Sequence, residues 1–212
     1  MPPFVSNYFA LLCIAVVLCA GMLRLQSACG VSKQWARWLT VAGFVALWLP
    51  AGSANIPVVA YVRGISSDVS ITLVALACLA LFRDALPSFG DSEKTPVLVA
   101  VLAAGVLLYP MALGLGDWDP YRLGWGHPGM WTSLLALVVV CWLSGWRLLP
   151  ALVALALLAW AAGLLESGNL WDYLLDPWLV AVACINCVKA VATRLARQRR
   201  QRGPDAFNPA PH

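Results

Sequence analysis

The sequence predicts an all-α fold: a polytopic membrane bundle of about seven transmembrane helices, N-terminus outside and C-terminus cytoplasmic. Three observations carry that prediction. Apolar residues make up 61% of the chain and charged residues 11%, against about 45–50% and about 25% in soluble domains. Seven apolar stretches, at residues 8–23, 35–49, 69–82, 97–115, 130–146, 148–165 and 177–191, approach the roughly 20 residues that a hydrocarbon core requires. Threading them alternately puts Arg24, Lys33, Arg37, Arg83, Lys94, Arg147, Lys189, Arg194, Arg197, Arg199, Arg200 and Arg202 on one side and only Arg63 and Arg122 on the other. Basic residues near span ends stay cytoplasmic, and this sets the orientation.

The first segment is preceded by Met1-Pro2-Pro3-Phe4-Val5-Ser6-Asn7, which has no basic residue, and Arg24 follows the apolar run. That order predicts an uncleaved helix rather than a signal peptide. Leu25-Gln26-Ser27-Ala28-Cys29 loosely resembles a lipoprotein cleavage site, but Gln26 stands where an apolar residue is required. Between the second and third spans, residues 58–62 are apolar, so this stretch is expected to lie on the membrane or dip into it. Asp68 or a neighbouring serine is then placed to cap the third span.

Residues 130–165 form one apolar run of 36 residues interrupted by Ser144-Gly145-Trp146-Arg147. One helix of that length would extend about 54 Å, beyond a core of about 30 Å. Gly145, Arg147 and Pro150 therefore predict a tight cytoplasmic hairpin. Residues 1–193 are read as one transmembrane domain. Residues 194–212 form a basic tail, expected to be disordered and cytoplasmic, which meets anionic headgroups rather than nucleic acid.

The tryptophans fit the same threading. Trp35, Trp38, Trp142 and Trp146 fall at inner span ends, and Trp48, Trp118, Trp125, Trp131, Trp171 and Trp178 at or near outer ends, with Trp160 deeper. Amphipathic rings gather where headgroups meet acyl chains. Most of the seven cysteines lie within spans and none in an outward loop, so disulfides on the outer side are not expected. Cys184 and Cys187 have CxxC spacing on one helix face, and inside an apolar helix they read as packing residues rather than a redox pair. His127 and His212 are the only histidines, and their positions exclude bis-histidine haem ligation within the spans.

Candidate chemistry gathers on the outer side, at Arg63, Asp68, Asp117, Asp119, Arg122, His127, Glu166, Asp172 and Asp176. Arg63, flanked by apolar residues, needs an anionic partner: a lipid phosphate, Asp68 or another outer carboxylate. Asp117, Asp119 and His127 share a Gly-, Pro- and aromatic-rich loop and include metal-ligand types, yet such residues equally make Asx turns and caps; no metal or cofactor is assigned. Asn169 with Asp172, and Asp176 with Pro177, have the form of helix starts. On a continuous helix Asp172 and Asp176 would instead share one face and raise one another's pKa.

The stretches from Ala51-Gly52 to Arg83 and from Ala162-Gly163 to Arg194 have identical spacing, suggesting a parallel arrangement of three helices, a linker helix and three more. Lys189 lies too near the inner end of the last span for a retinal protein. P-loop, HExxH and GxSxG motifs are absent, so no enzyme class is assigned. The leading expectation is an inner-membrane accessory or scaffold subunit of an envelope-assembly or transport complex, with a membrane protein as partner. A small transporter or channel with an outward polar cavity is one alternative. A membrane enzyme acting on a lipid-linked or envelope substrate is another.

Overall fold

A computed structural model describes residues 3–86 and 89–202. It is all-helical apart from one two-stranded ribbon. Each of the seven apolar segments falls on a helix: α1 (Pro3–Ala28), α2 (Lys33–Leu47), α4 (Ile71–Leu81), α5 (Asp91–Ala112), α6 (Pro128–Leu143), α7 (Leu148–Ala161) and α9 (Pro177–Arg202). Two further short helices, α3 (Val58–Ser66) and α8 (Leu170–Leu174), precede α4 and α9, and a 3-10 helix occupies Pro120–Trp125. Among the described residues, three helical segments are long and apolar enough to cross a membrane: Ser6–Ala28, Ser92–Ala112 and Pro177–Gln198. Ile71–Leu81, Pro128–Leu143 and Leu148–Ala161 are shorter apolar helices.

α7 places Leu152, Val153, Ala156 and Ala159 in the core. It packs on α4, α5, α6 and α8, while α1 packs on α2, α3 and α4. Alanines sit at several of the tightest positions: Ala15 and Ala156 are fully buried, and Ala10, Ala36 and Ala183 nearly so. In an apolar solvent, helices gain little from hiding apolar surface, so small residues that let backbones approach become the main packing device. The α5–α9 crossing uses glycine in the same way. A Cβ on Gly105 would come within 2.9 Å of Val180 Cγ2.

The predicted hairpin is present. α6 ends with the Trp146 amide donating to the Cys141 carbonyl (2.9 Å) and the Gly145 amide to Trp142 (3.0 Å), with Gly145 at φ 77°. This is a Schellman stop, which favours a residue without a Cβ. α7 then begins on a borrowed cap: Glu93 Oε2, from α5, accepts the Arg147 and Leu148 amides at 2.8 and 3.0 Å. After α2, the chain forms an antiparallel ribbon pairing Pro50 with Pro57 and Ala51 with Ile56, and this feeds directly into α3.

α9 is helical to Arg202, and the remainder of the expected tail, residues 203–212, lies outside the described residues. Three expectations are corrected. α4 packs along α1 whereas α9 packs along α5, so the equal spacing of the two hairpins is not matched by equivalent packing. Cys184 and Cys187 are exposed rather than packed within the chain. Trp171 is buried and donates from Nε1 to the Pro120 carbonyl (2.9 Å), so it pins two loops together instead of lying in the interfacial belt. Trp35, Trp38, Trp118, Trp125, Trp131, Trp142 and Trp178 are exposed.

Candidate functional site

α3 positions the guanidinium of Arg63. Val59, fully buried, anchors this short helix, and Ser67 ends it at φ 62° with its amide donating to the Arg63 carbonyl (2.9 Å). A positive φ at a non-glycine residue is a strained conformation. Here the turn brings Asp68 back onto Arg63, whose Nε donates to Asp68 Oδ1 at 2.7 Å. One terminal nitrogen of Arg63 donates to Asn7 Oδ1 on α1, and the other lies 2.9 Å from Glu166 Oε1, in the segment after α7. Three distant stretches of chain thus meet at one cation.

The side chains of Arg63 and Asp68 are each 19% exposed, and that of Glu166 is 57% exposed. Burial alone would lower the pKa of Arg63, but the hydrogen bonds and charges of Asp68 and Glu166 outweigh it and hold the group above its ordinary value. Of the two caps expected for the third span, Asp68 or a neighbouring serine, the serine serves: Ser70 Oγ accepts the Leu73 amide at 3.2 Å. A cavity of about 470 Å³ opens beside the cluster, lined by Arg63, Asp68 and Glu166 together with Asn7, Leu11 and Ala60. A groove of about 330 Å³ between α1, α4 and α7 is lined only by apolar residues, Phe9, Val74 and Leu164 among them. It has no polar group to orient a reacting molecule.

The other loops that carry candidate residues are tied to one another. Asp119 Oδ1 accepts the Tyr121 amide (3.0 Å) and starts the 3-10 helix. Tyr121 Oη donates to Asp172 Oδ2 (2.9 Å), which also accepts from Ser167 Oγ. Asn169 caps α8 by accepting the Trp171 amide (2.9 Å) while its Nδ2 donates to the Tyr121 carbonyl (2.9 Å). Gly124 lies so close beneath this cap that a Cβ there would meet Asn169 Oδ1 at 1.8 Å. Burial, then the hydrogen bond and charge of Asp172, push the Tyr121 hydroxyl up to about 12. It is therefore a fixed donor at neutral pH.

The nine sequence candidates divide accordingly. Arg63, Asp68 and Glu166 converge on the cavity. Asp172 binds hydroxyls between loops, and Asp176 is buried as a helix cap. His127 caps α6, its Nδ1 accepting the Gly129 amide (3.0 Å). Asp117, Asp119, Arg122 and His127 do not line the cavity, and among the described residues no three His, Cys, Asp or Glu side chains form a metal-sized cluster. No family model, curated protein or solved structure matches this chain.

Asn7, Tyr121, Ser167 and Asn169 are structural partners that the sequence did not single out as site residues. Asn7 offers a weak signal, as a polar side chain at the start of a long apolar run. The cavity lining brings together one cation, Arg63, and two carboxylates, Asp68 and Glu166.

Proposed function

We propose that this chain is a multi-pass protein of a bacterial-type inner membrane. It crosses the bilayer seven times, N-terminus outside and C-terminus cytoplasmic, and acts as an accessory or scaffold subunit of an envelope-assembly or transport complex. The observation that carries this is the exposed half of α9. Every residue from 184 to 198 is exposed, so more than half of the helix is left open by the other described residues.

Asn186 lies in that half, about 14 Å along the helix from Pro177, close to the middle of a core of about 30 Å. Its Nδ2 donates to the Val182 carbonyl one turn back (2.9 Å). A carboxamide facing acyl chains is unfavourable, and polar side chains at that depth associate helices by hydrogen bonding across them. A partner helix at α9 meets this need. The alternative enzyme would require Asp117, Asp119, His127 and Glu166 in one pocket, and they do not converge.

The test is purification from the native host in mild detergent, with native mass measurement of the wild type, Asn186→Leu and Asn186→Gln. A membrane protein that co-purifies at fixed stoichiometry, is lost with leucine and is retained with glutamine is the expected result. A lone copy of this chain in all three would overturn the proposal. Orientation is tested separately in a variant keeping only Cys29, which is exposed in the turn after α1. An impermeant maleimide should label it in inverted vesicles and not in intact cells.

A further inference from the structure

We infer that the cavity beside Arg63 binds the headgroup of an amine-bearing zwitterionic phospholipid, with the phosphate on Arg63 and the ammonium on Glu166. The inference rests on the membrane placement proposed above, but not on the accessory role.

Charge comes first. Arg63 contributes one positive charge to the lining, and Asp68 and Glu166 contribute two negative ones, so a purely anionic ligand meets net repulsion. A guanidinium has five N–H donors, and the Asp68, Asn7 and Glu166 contacts engage three. Two donors remain for an oxyanion, and paired guanidinium N–H groups are well suited to phosphate. Both carboxylates pair with Arg63, but Glu166 is 57% exposed and so is the one open to an incoming cation, whereas Asp68 is 19% exposed. Anion-binding and cation-binding groups are therefore neighbours, as a headgroup with a short link between phosphate and ammonium requires.

Location comes second. α3 exposes Ile65 (89%) and Tyr61 (40%) while burying Val59, the pattern of a helix lying along the boundary between headgroups and acyl chains. Leu11 and Ala60 add an apolar portion to the lining. A volume of about 470 Å³ lies within the roughly 300–1,000 Å³ of small-molecule sites, ample for a headgroup.

The test uses the full chain reconstituted with an equimolar mixture of phosphatidylethanolamine, phosphatidylcholine and phosphatidylglycerol, and native mass spectrometry of the retained lipid. The expected result is retention of the ethanolamine lipid over both others by about tenfold, the scale of one charged hydrogen bond. Glu166→Gln, at an exposed position, should fold normally and bring ethanolamine and choline lipids to parity. Equal retention of all three by the wild type, or an unchanged preference in Glu166→Gln, would overturn the inference. Displacement by soluble phosphoethanolamine at matched concentration would support the same chemistry with a soluble source, and resistance to it would support the lipid. Carbonate-resistant flotation with vesicles reports membrane insertion independently, so loss of headgroup selectivity is distinguishable from failure of the membrane placement.

Discussion

Asp176 Oδ2 accepts the backbone amide of Ser70 at 2.8 Å across 106 positions of sequence, while its Oδ1 accepts the Leu179 amide at the same distance. One carboxylate, only 4% exposed, thereby serves the starts of both α4 and α9. Helix N-termini present unpaired N–H groups and positive dipole ends, and an anion answers both.

Asp176→Ala strands two buried donors. The expected loss is about 2–4 kcal/mol, from about 1–3 for each unsatisfied group with partial relaxation. Asp176→Asn keeps one acceptor and should lose less. Reversible unfolding in mixed micelles measures both, and an alanine variant within 0.5 kcal/mol of wild type, the ordinary range of surface substitutions, would remove the double cap from the account.

Gly124→Ala should force the 3-10 helix away from α8, because its Cβ would occupy the place of Asn169 Oδ1. A cost of about 1–3 kcal/mol is typical of overpacking. Asn169→Ala alone also destabilises, since it removes the α8 cap and the tie to Tyr121. The double variant should be less destabilised than the sum of the two, and a thermal-unfolding cycle measures that coupling.

Alkali should loosen the same loops. The Tyr121 hydroxyl is raised in the folded protein from 10.0 to about 12, by burial first and then by Asp172. Between these values the unfolded chain has lost the proton that the folded chain keeps, so stability is full below pH 10 and falls as pH rises towards 12. Tyr121→Phe should flatten that part of the alkaline profile and cost about 1 kcal/mol at neutral pH through the lost hydrogen bond. Unfolding temperature against pH, with the tyrosinate absorbance followed in parallel, checks both.

Glu93→Ala should weaken the start of α7 by about 1 kcal/mol, as for other N-caps. Hydrogen exchange at the Arg147 and Leu148 amides should accelerate. Glu93→Gln, which keeps the acceptor and loses the charge, should fall between alanine and wild type.

Where helices form was legible in the sequence, because apolar stretches, glycines and prolines act locally. Gly145 and Pro150 marked the α6–α7 turn, whereas residues 58–62 stood out as apolar without being read as the helix α3. Which helix faces meet was not legible. Helices that are apolar all round have no stripe to point inward, so nothing local tells that α9 packs on α5 at Gly105 while leaving residues 184–198 exposed. The site was half legible for the same reason. Arg63 stood out as a cation that needed an anion, but Asn7 and Glu166 reach it only through the packing of α1 and α7.

The link between Ser70 and Asp176 also bears on biosynthesis. A chain emerging from the ribosome carries Ser70 long before Asp176, so α4 begins with its Ser70 amide still unanswered by the carboxylate. Only when the final helix arrives is the start of α4 finished. Premature termination anywhere between them would remove far more than the last helix. It would leave the buried Ser70 amide at the start of α4 without its carboxylate acceptor.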